Sequence, residues 1–216
     1  MVIQVILCIL IGYFLGTVSP SYIIASIRGY DPVKDGSGNP GASNTLILAG
    51  KALGLLAAVL DILKAFAAWR LCAYIFPDLR LAGQIAGVSA IFGHMFPVWY
   101  KFKGGKGLAC LGGVCLAHSP WTFLILLGIA LVICLLTNYI AVMTVVMAFV
   151  VPIYYLIVSK DIGGSLVLFT PAVPMLLKHR INFQRIRNGT ELRLSYLIHG
   201  KKEMDRVIGN HTENKE

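Results

Sequence analysis

Residues 107–158 read GLACLGGVCLAHSPWTFLILLGIALVICLLTNYIAVMTVVMAFVVPIYYLIV, without one Asp, Glu, Lys or Arg. A membrane-spanning helix needs about 20 mostly apolar residues. This run therefore holds two full spans, expected at Trp121–Leu136 and Tyr139–Val158, and a short one at Leu108–Ala117. The flanking chain repeats the pattern. Met1–Ile27 is uncharged, Ala52–Phe76 is apolar apart from Asp61, Lys64 and Arg70, and Leu81–Trp99 follows. A last span at Ile162–Leu177 is interrupted by Pro171 and Pro174. The expected fold is all-α: a polytopic membrane protein forming a compact bundle of about seven transmembrane helices.

Composition agrees. Of 216 residues, 57% are hydrophobic and 13% charged, against about 45–50% and about 25% in soluble domains. A soluble enzyme, a disordered tail and a DNA-binding module are excluded. The net charge is +9, and 15 of the 19 basic residues lie in the 28–51 loop, in the 101–106 loop or from Lys178 onward. Basic loops stay cytoplasmic, so the N-terminus is expected outside and the tail inside. The charge then serves topology and anionic lipid or phosphate, with no nucleic acid partner. The first span is too long, and Thr17-Val18-Ser19-Pro20 too unlike a cleavage site, for a signal peptide. Residues 1–178 are expected as a membrane-embedded catalytic domain. Residues 179–216 are expected as a basic cytoplasmic tail, too short for its own core, with its start lying as an amphipathic helix on the membrane surface. Cys8, Cys72, Cys110, Cys115 and Cys134 form no CxxC pair and read as buried thiols. No metal or organic cofactor is expected.

Four stretches can carry chemistry. The loop from Asp31 to Asn44 is rich in Gly, Ser and Asn; glycines let backbone N–H groups wrap a phosphate, although the same residues also build plain turns. From Gly93 to Gly107, Lys101, Lys103 and Lys106 alternate with apolar residues and glycines before a helix, which suits an anion or a membrane anchor. Asp61 and Lys64 stand three apart on one helix face inside a span; such groups face each other or a site. Lys178–Glu191 is either a basic helix on anionic headgroups or a polar wall using Arg180, Asn182 and Glu191. No HxxxxD, GxSxG or HExxH motif is present. The chemistry therefore runs on positioning and charge neutralisation.

Together these stretches resemble the bacterial acyl-phosphate:glycerol-3-phosphate acyltransferases of phospholipid synthesis, the PlsY family. The matching segments are residues 36–44 (GSGNPGASN), 93–98 (GHMFPV), 101–107 (KFKGGKG), 178–182 (KHRIN) and 189–191 (GTE), with Asp61-Ile62-Leu63-Lys64 in the second span. The resemblance implies a seven-span bundle that transfers a fatty acyl group from acyl phosphate to the sn-1 hydroxyl of glycerol 3-phosphate. Lysophosphatidic acid and phosphate are the products, the acyl tail lies in a groove among the spans, and the location is the bacterial plasma membrane. It implies catalytic roles for Ser37, Lys106, Asn182 and His179. Ser37, Gly38, Asn39 and Asn44 shape the first loop around a phosphate. Lys106 and the N–H groups of Gly104, Gly105 and Gly107 hold the acyl phosphate. Asn182, His179 and Glu191 close the site, Lys64 and His94 lie near it, and a substrate phosphate oxygen takes the proton. Usually basic positions of the family hold Ser26, Val33 and Ile47 here, and Thr17 and Cys110 replace a serine and a threonine. Arg28 and Lys34 lie close to two of these gaps and are expected to compensate. A paralogue with another acceptor, a silent lipid-binding relative and a small anion transporter are the competing readings.

Overall fold

The computed structural model describes residues 1–195. Those residues form ten α-helices and one 3-10 turn, with no strand among them. They are α1 (Val2–Thr17), α2 (Pro20–Arg28), α3 (Ala42–Ala49), α4 (Lys51–Ile75), α5 (Ala82–Met95), α6 (Leu108–His118), α7 (Pro120–Thr137), α8 (Ile140–Ser159), α9 (Ile162–Phe169) and α10 (Ala172–Arg187).

The apolar runs become the expected helices, with two broken by proline. Pro20 opens α2 at its first position, so α1 and α2 form one bent segment, Val2–Arg28. Pro171 separates α9 from α10, whereas Pro174 is tolerated in the first turn of α10. Five segments are long and apolar enough to cross a membrane: Val2–Arg28, α4, α7, α8 and Ile162–Arg187. The expected third and fourth spans are helical but short, 14 residues in α5 and 11 in α6. They cover about 21 and about 17 Å at 1.5 Å per residue, against a hydrocarbon core of about 30 Å. The loop between them keeps Gly104, Gly105 and Gly107 buried.

Connections gather at two faces. Arg80, before α5, pairs with Asp161, before α9, at 2.5 Å. At the other face Asn138, between α7 and α8, accepts the Leu194 N–H at 2.8 Å. The expected boundary at residue 178 falls inside α10, which runs unbroken to Arg187. Of the expected tail 179–216, residues 196–216 lie outside the described residues.

Small residues set the packing. A Cβ on Gly12 or Gly16 would collide with the carbonyls of Ala86 and Ala90, so α1 and α5 touch backbone to backbone. A Cβ on Gly113 would collide with the carbonyl of Ile62, which brings α6 equally close to α4. Only Ile85 and Phe92 of α5 escape full burial. On the outside, Leu124, Ile125, Leu131, Val132, Leu135 and Leu136 of α7 are exposed, a surface suited to lipid and a liability in water.

Candidate active site

Three chain segments converge at the face opposite Arg80. The first is the loop 31–44. Asp31 Oδ1 accepts from the Val33 N–H at 2.9 Å, a bond that holds this carboxyl below the usual carboxylate range. Gly36 and Gly38 take left-handed conformations, φ 62° and 71°. Asn44, 1% exposed, staples the loop. Its Oδ1 accepts from the Ser37 N–H at 2.7 Å, and its Nδ2 donates to the carbonyls of Pro32 at 3.0 Å and Asp35 at 3.1 Å. The Asn44 amide is spent on the loop, and what it presents is Ser37.

The second segment is 96–107. Buried non-helical backbone must find its hydrogen bonds within the protein, and here side chains from three helices supply some of them. Tyr13 donates to the Phe96 carbonyl at 2.8 Å, Tyr22 to that of Lys103 at 2.7 Å and Lys178 to that of Gly104 at 2.9 Å. Lys64 donates at 2.7 Å to the Val18 carbonyl at the α1–α2 break. Tyr22 also stacks on Tyr100 at 3.7 Å. A Cβ on Gly104 would strike the His94 carbonyl, and one on Gly105 the His94 ring, so this glycine pair is demanded by close approach. A Cβ on Gly41 would lie 3.8 Å from Gly105 Cα, which puts the two loops side by side.

The third segment is α10 and the turn after it. Lys106 Nζ donates to Asn182 Oδ1 at 2.5 Å, and Asn182 Nδ2 donates to Glu191 Oε1 at 2.6 Å. His179, 2% exposed, donates from Nδ1 to the Met175 carbonyl at 2.7 Å, which leaves Nε2 as its acceptor. Arg185 donates to the Ser37 carbonyl at 3.3 Å. Ser37 is therefore held by its N–H from Asn44 and by its carbonyl from Arg185. Burial lowers Lys106 to about 8, with Glu191 opposing and Arg185 and Lys178 reinforcing the shift. Burial also raises Glu191, against the Asn182 amide and Lys106. The arrangement is a cationic pocket floored by glycine backbone, able to hold phosphate groups and to neutralise charge that develops beside them.

The structure thus gathers Ser37, Gly38, Asn39, Gly104, Gly105, Lys106, Gly107, His179, Asn182 and Glu191 around two loops and one helix. Lys64 and His94 lie beneath the glycine pair. Thr17 lies to one side, its hydroxyl donating to the Phe14 carbonyl at 2.7 Å and accepting from Trp99 Nε1 at 3.0 Å. Arg28 is exposed, and Lys34, 82% exposed, pairs with Asp31 at 3.6 Å; neither joins the pocket. Lys178 and Arg185 received no role from the sequence; both share a helix face with Asn182, but a basic run does not show which face turns inward. Asp61, His94 and Cys110 present ligand atoms within 4.8 Å of one another. Lys64 Nζ already stands 2.7 Å from Asp61 Oδ1 and 3.0 Å from His94 Nδ1, so this is an ion-pair cluster and not an open coordination site.

This geometry has known counterparts. A family model described as glycerol-3-phosphate acyltransferase matches residues 6–189. A glycerol-3-phosphate acyltransferase from Thermosipho melanesiensis is 38% identical over 191 residues, covering 87% of this chain and 92% of the relative. One from Enterococcus faecalis is 33% identical over 216 residues, covering 95% and 99%. The crystal structure of PlsY, an integral membrane glycerol 3-phosphate acyltransferase, in its glycerol 3-phosphate form superposes with a TM-score of 0.82 at 28% identity, covering 89% of this chain and 96% of that one. Its lysophosphatidic acid form gives a TM-score of 0.78, covering 88% and 94%. This chain is an integral membrane protein of the glycerol-3-phosphate acyltransferase family.

Proposed function

We propose that this protein transfers a fatty acyl group from acyl phosphate to the sn-1 hydroxyl of glycerol 3-phosphate. The observation that carries the reading is the Lys106–Asn182–Glu191 chain. It places a cation beside the Gly104–Gly105 backbone and within the reach of Ser37's loop. Acyl transfer asks little else of the protein when the leaving group is phosphate. The hydroxyl oxygen forms a bond to the acyl carbon, the acyl carbon–phosphate oxygen bond breaks, and the hydroxyl proton ends on the departing phosphate. Lys106 and the glycine N–H groups stabilise the oxyanion and the phosphate. Ser37 and Asn39 hold the acceptor's phosphate, and His179, Asn182 and Glu191 orient its hydroxyls. No side chain is required as a strong base.

The acyl tail lies along the bundle's lipid-facing surface. An apolar groove of about 430 Å³ between α1 and α4, lined by Leu10, Ile11, Phe14, Leu15 and Leu71, offers it a place. The concentration of basic residues on the loop face supports a cytoplasmic location for that face, at a bacterial plasma membrane. A cysteine at exposed Lys101 should resist a membrane-impermeant thiol reagent in intact cells, and one at exposed Asp78 should react; the reverse pattern would invert the orientation.

The test of function is purified protein with palmitoyl phosphate and labelled glycerol 3-phosphate. One phosphate released per lysophosphatidic acid formed, with both products dependent on both substrates, establishes the reaction. Absence of lysophosphatidic acid, with a related enzyme active in parallel, rejects it. Release of phosphate on addition of a different polyol phosphate would assign another acceptor. Val33 and Ile47 motivate that arm, standing where the family resemblance leads one to expect basic residues.

A further inference from the structure

We propose that Asp61, Lys64 and His94 are a positioning unit for the reacting loop: they fix where the Gly104–Gly105 backbone sits, and none of them touches substrate. The inference rests on the acyltransfer reading of the pocket above them.

All three side chains are buried, at 1%, 8% and 6% exposure. Lys64 Nζ donates to the Val18 carbonyl at 2.7 Å, forms an ion pair with Asp61 Oδ1 at 2.7 Å and stands 3.0 Å from His94 Nδ1. The ammonium is buried and engaged on three sides, which leaves it little room for an anionic ligand. Asp61 Oδ1 also lies 3.2 Å from His94 Nδ1, so the carboxylate faces both partners. Removing any member strands a charge or a polar atom in an apolar interior, which is costly enough to hold the geometry.

What the unit holds is the loop. The free edge of the His94 ring meets Gly105 so closely that a Cβ there would collide with Nε2, and the His94 carbonyl does the same to Gly104. The Gly105 backbone therefore covers Nε2 on the side that faces the loop. The other end of the loop is reached through α2. Lys64 satisfies the Val18 carbonyl left open by the α1–α2 break, and α2 then delivers Tyr22 to the Lys103 carbonyl. The cluster therefore supports the loop beneath Gly105 directly and at Lys103 through the bent helix.

The experiment is a double-mutant cycle between His94→Ala and Gly105→Ala, assayed as lysophosphatidic acid formation. Each single variant should lower kcat by at least about tenfold, since small displacements of a reacting group have effects of that size. The KM of either substrate should stay within about threefold, the sign of an interaction felt in the transition state rather than in binding. The double variant should be no worse than the worse single, because removing the imidazole makes room for the new methyl. His94→Gln, which keeps a polar group toward Asp61 and bulk toward Gly105, should recover most of the loss. Losses that multiply, or a KM that rises while kcat holds, would show His94 acting on substrate and overturn the proposal. Hydrogen–deuterium exchange of the substrate-free protein gives a readout independent of turnover. His94→Ala, and the charge-neutral pair Asp61→Asn with Lys64→Gln, should speed exchange in 101–107 and leave α7 unchanged. Unchanged loop exchange in the folded variants overturns the proposal. If His94→Ala loosens α7 as well, the charge-neutral pair decides. An inactive wild-type protein would reject the acyltransfer reading alone, with loop exchange still testing the positioning unit.

Discussion

An ammonium drawn out of water, with Lys178 and Arg185 nearby and Glu191 opposing them among the described residues, has its affinity for the proton lowered. Burial leads the lowering of Lys106 to about 8 from 10.5. The cation is the form that neutralises phosphate, so kcat/KM should fall as pH rises through about 8, because that parameter reports the free enzyme's ionisations. The corresponding limb in kcat should lie higher, since a bound anionic substrate favours the charged lysine. Lys106→Arg should weaken the limb or move it to higher pH, because a guanidinium keeps its charge. Lys106→Ala should be slower at every pH, by at least about tenfold for a lost contact of about 1.4 kcal/mol. Stability should move the other way. The unfolded lysine keeps its proton up to 10.5 while the folded one releases it near 8. The unfolded state thus binds more protons across that window, and folding gains stability as pH rises through it. Thermal unfolding from pH 7 to 10, read as the difference between wild type and Lys106→Met, checks the sign. A wild-type protein that is less stabilised than the variant toward pH 10 would contradict it.

At the scale of elements, α10 does what its charge run conceals. Lys178, Asn182 and Arg185 are spaced four and three apart, on one face, and that face closes over both loops: Lys178 on the Gly104 carbonyl, Asn182 on Lys106, Arg185 on the Ser37 carbonyl. Arg185→Gln removes a charge and the tether that fixes Ser37. The KM for glycerol 3-phosphate should rise about tenfold, with a smaller change for acyl phosphate. Arg185→Lys should restore part of it, since a lysine is a point charge and not a planar fork. An acceptor KM unmoved in both variants would remove Arg185 from the site. The loops themselves were legible in sequence because their glycines, asparagines and lysines are contiguous. The face of α10 was not, because a run of Lys178, Arg180, Arg185 and Arg187 does not say which of them turn inward. Asn44 reads as a phosphate donor until the first turn of α3 is seen to aim it at the loop's own carbonyls. Lys64 and His94 are 30 residues apart, and nothing in either span announces that they meet. The apolar runs mark seven helical segments, but hydropathy does not measure how short α5 and α6 are, at 14 and 11 residues.

Across the whole molecule, the same close contacts that hold the bundle also aim the site. α1 lies directly on α5 because Gly12 and Gly16 present no side chain to Ala86 and Ala90. From that position α1 extends Tyr13 to the Phe96 carbonyl and Thr17 to Trp99, the start of the loop that carries Lys106. A methyl at Gly16 would have to displace backbone, which costs about 1–3 kcal/mol in a packed interior, and the displacement would pass through Tyr13 and Thr17 to the loop. Gly16→Ala should therefore lower both the unfolding temperature and kcat. Gly128, on α7, has nothing within 4 Å of a Cβ position. Gly128→Ala should keep wild-type turnover and melt no lower, because the methyl enters lipid and alanine favours helix over glycine. The pair separates a tightly packed bundle from a loosely associated one. If both variants melt and turn over alike, α1 does not rest on α5 in the working enzyme, and the route from that contact to the glycine loop fails with it.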